Sequence, residues 1–178
     1  DPNGPAYQAL YPELYAPKDE TLTESAADKT VYLTFDDGPS YQTLKILDIL
    51  DTYRVKATFF VIGRSDEESK RIMKEIVDRG HAIGVHTTSH DYKKIYASVE
   101  TFLNDFATTH QIIQEATGVD TAIYRYPGGS VNDFNRKMIR ETVEEMNRRG
   151  YVYFDWNVSS GDAERGATAE SIYRDTVQ

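Results

Sequence analysis

The sequence predicts one α/β domain whose sheet is parallel and covered by helices. From Thr30 onward, short apolar segments alternate with amphipathic ones, the order that βαβ units produce. The short segments are apolar along their length, as in "KATFFVIG", and strands of that kind are buried on both faces. The size, 178 residues, suits one domain. The alternation alone leaves both a barrel and an open doubly wound sheet available. In either case functional residues belong at the C-terminal ends of the strands.

Residues 1–29 read as an irregular N-terminal leader or linker, and residues 30–178 as the folded body. Pro2, Pro5, Pro12 and Pro17 exclude a long helix from the leader. Tyr7, Tyr11 and Tyr15 recur every fourth residue and are placed to pin it to the body. "TVYLTFD" is the first strand. "YQTLKILDILDTY" follows with Leu44, Leu47 and Leu50 at helical spacing. "KATFFVIG" is the second strand. "DEESKRIMKEIVDRG" is an amphipathic helix stopped by Gly80. "HAIGVH" is the third strand, and a long helix runs from Ser98 to Gly118. "TAIYRYP" is a strand, "VNDFNRKMIRETVEEMNRRG" a helix, "YVYFDWNV" a strand and "TAESIYRDTV" a helix.

Hydrophobic residues at 39% and charged residues at 28% fit a folded globule. No apolar run approaches the roughly 20 residues that cross a bilayer, and residues 1–10, polar with an acidic start, show no secretory signal. A secreted protein would begin after its targeting segment. Twenty basic against 29 acidic side chains give net −9, which argues against nucleic acid as a partner, since phosphate binding needs clustered cations. The absence of cysteine removes disulfides and thiolate metal sites. Thirteen tyrosines serve equally as sugar platforms and as packing.

The strand ends gather an unusual set of groups. The first ends in Asp36-Asp37, two like charges side by side, where a turn needs at most one such residue. The third ends in His86, with His90 four residues on. The fourth presents Arg125 and a glycine turn, and the fifth runs past Trp156 to Asp162. Singly, each has an ordinary structural explanation. Together, on one rim, they make a site. His86 and His90 at i and i+4 would share a face in a helical turn and suit a metal. One aspartate would complete a three-ligand centre with open positions, and the other would act as general base. The paired charges are then tolerable because a cation neutralises one and an arginine the other.

"TFDDGPS", "HTTSH" and "RYPGGS", in that order, resemble the polysaccharide deacetylases of carbohydrate esterase family 4, over about residues 30 to 178. The resemblance implies a distorted (β/α) barrel with fewer than eight strands. It implies removal of acetyl groups from N-acetylglucosamine units of peptidoglycan or chitin, or from acetylated xylan. It implies Asp36 as base, Asp37, His86 and His90 as ligands of one divalent transition metal (zinc first, with cobalt, nickel and manganese as alternatives), and Arg125 as the group holding the base. The Gly128 N–H falls in the oxyanion hole, and Asp162 falls where an aspartate pairs with the arginine. A polysaccharide partner and an extracellular or cell-wall location follow from the same resemblance. The helix opened by "SVETFLNDF" and the "RYPGGS" variant favour peptidoglycan.

Two departures stand out. Ala163 follows Asp162 where the family often has Trp, and the family's closing Leu-x-His, source of the general acid, is absent from the sequence. His81 begins a strand and His110 lies inside a helix, so neither replaces it. The expectation is a barrel without its last strand or strands, completed by a further segment or a second chain. An inactive glycan-binding relative is the alternative from another class. Phosphoryl transfer through an aspartyl nucleophile fits poorly, because the two aspartates are adjacent and the histidines would have no role.

Overall fold

A computed structural model describes residues 4–18 and 29–177. Five parallel strands, β1 (Thr34–Asp36), β2 (Thr58–Ile62), β3 (Ala82–Thr87), β4 (Ile123–Tyr124) and β5 (Val152–Tyr153), form one sheet in chain order. A doubly wound sheet reverses its strand order at a switch point. This one never reverses, so it is wound like a barrel. It does not close: among the described residues, β1 and β5 are both edges. Between the strands lie α1 (Tyr41–Tyr53), α2 (Glu67–Asp78), α3 (Tyr92–Ile95), α4 (Val99–Thr117) and α5 (Ile139–Arg148), and α6 (Ala169–Val177) follows β5. No helix among the described residues is long and apolar enough to cross a membrane.

Local chemistry explains the element boundaries. Asp66 caps α2 by accepting the Ser69 N–H at 2.9 Å. Ser98 and Thr101 form a reciprocal capping box on α4, and Gly118 ends that helix at φ 77°. β2 and β3 bury Phe59, Phe60, Val61, Ile83 and Val85 between helices, which accounts for their unbroken apolar runs. β4 and β5 are shorter than the sequence suggests, at two residues each, and two further boundaries differ from the sequence expectation. β1 begins at Thr34 rather than Thr30, because it has a neighbour on one side only and Val31 and Tyr32 stay exposed. The helix expected over residues 131–150 begins only at Ile139. Asn132 Oδ1 accepts the N–H groups of Phe134 and Asn135, and Asn135 Nδ2 donates to the carbonyls of Gly129 and Ser130. Side chains that bond the backbone in this way compete with a helix.

Residues 4–18 of the leader lie against the body. They contain a short 3-10 turn, Ala6–Ala9; Leu14 is buried, and Tyr7 and Tyr11 pack on the core. Arg149, 1% exposed, is the anchor. Its guanidinium donates to Glu145 at 2.7 Å and to the carbonyls of Leu10 at 2.8 Å, Tyr11 at 2.8 Å and Leu14 at 3.2 Å. Tyr15 lies under Arg148 and Arg149. Burial raises the Glu145 carboxyl, but hydrogen bonds from Arg148 and Arg149 outweigh it and hold the group below its usual range. A folded value below the unfolded one gives stability that is present above the unfolded pKa and lost as pH falls through the folded one. Arg149→Met strands the leader carbonyls and is expected to destabilise the protein by about 3–5 kcal/mol, the usual cost of removing one partner of a buried pair. Urea unfolding checks this; a change below about 1 kcal/mol, within the range of an exposed pair, would mean the anchor is dispensable.

Candidate metal centre and catalytic rim

Because every strand is parallel, all C-terminal ends open on one rim. β1 ends at Asp36. Asp37 then adopts φ 69°, a left-handed conformation that non-glycine residues rarely hold. That reversal brings two adjacent carboxylates to one mouth. On β3, His86 is buried. His90 sits in the loop after it at φ 50°. The two imidazoles meet through a strand end and a left-handed turn, not through the helical turn that their i, i+4 spacing suggested.

Asp37 Oδ1 lies 3.3 Å from His86 Nε2 and 3.2 Å from His90 Nε2. One donor atom from each of these residues falls within 4.8 Å of the others. His86 Nδ1 stands 2.9 Å from the Arg125 carbonyl, which only accepts. Nδ1 therefore carries the proton, and in the neutral ring Nε2 presents a lone pair to a carboxylate oxygen. Two electron-rich atoms at that distance call for a cation between them. An imidazole whose far nitrogen is tied to a carbonyl is the ordinary outer support of a metal ligand. The donor set therefore fits a divalent metal. The proximity of His86, and then of His90, lowers the Asp37 carboxyl, against the opposing effect of burial.

Asp36 is separated from this cluster by its partner. Arg125, 3% exposed, lies over the Phe60 ring at 4.4 Å and the Trp156 ring at 5.5 Å. It donates to Asp36 Oδ1 at 2.9 Å, Thr34 Oγ1 at 2.8 Å, the Phe154 carbonyl at 2.8 Å and the Asp155 carbonyl at 3.1 Å. Burial raises Asp36 above the usual carboxylate range, while His86 and Arg125 pull it down without prevailing. Arg125 was expected to hold Asp36 and neutralise its charge; its pull favours the charged form, yet the net shift is upward.

The remaining expected residues divide. The turn after β4 takes positive φ at Gly128 and Gly129. A Cβ on Gly128 would meet the Tyr92 ring at 2.9 Å, and Tyr92 in turn meets His90 edge-on, centroids 5.5 Å apart. Gly128 thus reaches the rim beside the histidines. Asp162 does not. It accepts from Ser160 at 2.6 Å in an exposed turn, and the carbonyls of Phe154 and Asp155 occupy the donors of Arg125 that it was expected to engage. His81 accepts the Ala57 N–H at the opposite end of the sheet, and His110 pairs with Asp120 at 3.0 Å. Neither reaches the rim.

Three residues that the sequence reading passed over also shape the rim. Asp155 accepts the Ser130 N–H at 2.9 Å and the Ser130 hydroxyl, tying the end of β5 to the glycine turn. Its place at a strand end was the available signal. Tyr92 forms the wall between Gly128 and His90, and burial, then Asp37 and Asp36, push its hydroxyl pKa up. Asp105, on α4, bonds the loop that holds His90.

The family model for polysaccharide deacetylases matches residues 23–151. The chain belongs to the polysaccharide deacetylase family. It is 37% identical over 139 residues to a putative polysaccharide deacetylase, YheN, of Bacillus subtilis, covering 78% of this chain and 48% of that protein. It is 33% identical over 134 residues to a peptidoglycan-N-acetylglucosamine deacetylase of Bacillus cereus, covering 75% and 47%. The chain thus spans about half the length of these relatives. Among solved structures, the catalytic domain of peptidoglycan N-acetylglucosamine deacetylase from Eubacterium rectale superposes with TM-score 0.79 at 37% identity, over 89% of this chain and 76% of that one.

Proposed function

We propose that this family member removes N-acetyl groups from a cell-wall polysaccharide, with N-acetylglucosamine units of peptidoglycan as substrate. The observation that supports it most is the meeting of Asp37, His86 and His90 at one point, with Asp36 held by Arg125 beside them. A divalent transition metal, zinc first, held by those three residues would polarise the acetyl carbonyl and make water a stronger nucleophile. Asp36 takes the proton of the attacking water. Its raised pKa suits a base, which must hold the proton once taken. Arg125 fixes the carboxylate in position through Asp36 Oδ1. The Gly128 N–H donates to the oxygen on which negative charge develops. The names of the matched relatives favour peptidoglycan over chitin or acetylated xylan. Such a substrate would place the protein outside the cell or at the bacterial wall, which cell fractionation tests.

The acid that protonates the leaving amine belongs, in this reading, to a further segment of the chain or to a second chain pairing along an open sheet edge. β1 and β5 both offer such an edge, with unpaired backbone groups. The deciding experiment measures acetate release from peptidoglycan, N-acetylglucosamine oligomers and acetylated xylan, with and without added metal, by residues 1–178 and by a longer chain. Metal-dependent release from the first two, faster with the longer chain, is expected. Equal rates would put the acid within this sequence. Full glycan binding without release in either chain, metal present, would favour the inactive relative.

A further inference from the structure

His90 has no strand or helix to hold it. The loop on which it sits runs from β3 to α3, and its left-handed backbone persists only if its surroundings impose it. The constraint comes from α4. Asp105 lies one turn from Phe102 and Thr109 on that helix, both buried. Its Oδ1 accepts the Thr87 hydroxyl at 2.7 Å and the Thr88 N–H at 2.8 Å, and its Oδ2 accepts the Ser89 N–H at 2.9 Å. Thr87 Oγ1 in turn accepts the His90 N–H at 3.1 Å. Two hydrogen bonds therefore connect the Asp105 carboxylate to the backbone of His90. The Thr88 hydroxyl returns a bond to the Asp105 carbonyl at 2.9 Å, so Thr87 at the end of β3 and the two loop residues after it are all tied to Asp105. The helix itself is held close. A Cβ on Gly63, at the end of β2, would lie 2.9 Å from the Thr109 Cα, so only glycine lets α4 approach the strand end this far.

We propose that Asp105 is a positioning residue for the metal centre: by fixing residues 87–89 it sets the place of His90 Nε2 and, through it, the metal affinity. This rests on the reading that Asp37, His86 and His90 hold a metal. A carboxylate suits the task because it accepts three bonds and offers no donor. Asp105→Asn preserves shape but sets an NH2 group against either the Ser89 N–H or the donors of Thr87 and Thr88. Asp105→Ala removes all three acceptors.

The test titrates zinc and cobalt into the wild-type protein, both variants and Asp120→Asn, which breaks the distant pair with His110. Asp105→Asn is expected to bind metal about 10- to 100-fold more weakly, as outer-shell changes do, and Asp105→Ala more weakly still. Asp120→Asn should bind as the wild type does, even where its unfolding midpoint falls. In metal-free Asp105→Asn the His90 amide should exchange its hydrogen faster than in the wild type, a reading that survives if the alanine variant fails to fold. Unchanged affinity and unchanged exchange in Asp105→Asn would overturn the proposal. A wild-type protein that binds neither metal would overturn the metal reading itself, and this inference with it.

Discussion

His86→Ala is expected to abolish stoichiometric metal binding and acetate release together. His86 is the least replaceable of the three proposed ligands. It is buried, its Nδ1 proton is fixed by the Arg125 carbonyl, and its Nε2 faces Asp37 at 3.3 Å. Alanine leaves an exposed aspartate and one loop histidine, two donors where catalytic zinc uses three from the protein. Loss of the metal removes several kcal/mol of charge stabilisation from the reaction, on the order of 10³-fold in rate at 1.36 kcal/mol per decade. Metal content after dialysis and acetate release are the two measurements. A variant that retains one equivalent of metal and near-normal turnover would show that the three residues are not the centre. The substitution also frees the Arg125 carbonyl, so the unfolding midpoint must be recorded beside both readings.

The sequence made the alternation of elements plain because α1, α2 and α4 carry their own start or stop signals. α1 occupies the 13 residues whose leucine spacing marked it, and α4 runs between the serine cap and the glycine that bounded it. The site was legible to the extent that strand ends were. Asp36, Asp37, His86 and Arg125 stand on or beside them. What escaped depends on tertiary contacts. The pairing of His86 with His90 was anticipated from a helical turn, but a left-handed residue produces it, and no spacing rule reports φ. Asp105 looked like one more polar position on a long amphipathic helix; its bonds go to a loop 16 to 18 residues away. Asp162 carried the expected pattern, yet the backbone carbonyls of Phe154 and Asp155, just after β5, hold the guanidinium instead. α3 has four residues, too few for periodicity to show.

Asp36→Asn and Asp37→Asn should separate two adjacent aspartates into two functions. Asp36 bonds Arg125 and shares no donor with the histidine pair, whereas Asp37 faces both imidazoles. Asp36→Asn is therefore expected to keep its metal and lose about 10²- to 10⁴-fold in turnover, the usual contribution of a positioned base. The amide oxygen still accepts from Arg125, so the rim should keep its shape. Asp37→Asn exchanges an anionic oxygen donor for a neutral one beside the two imidazoles. Its metal affinity should fall by more than the roughly 10- to 100-fold typical of outer-shell changes, and activity should return in part at high metal concentration. Added metal cannot restore Asp36→Asn, because what that variant lacks is a proton acceptor. The decisive comparison is thus activity against metal concentration for both variants: a rising curve for Asp37→Asn and a flat, low one for Asp36→Asn. If both curves rise alike, both aspartates bind metal, and the base must be sought elsewhere on the rim.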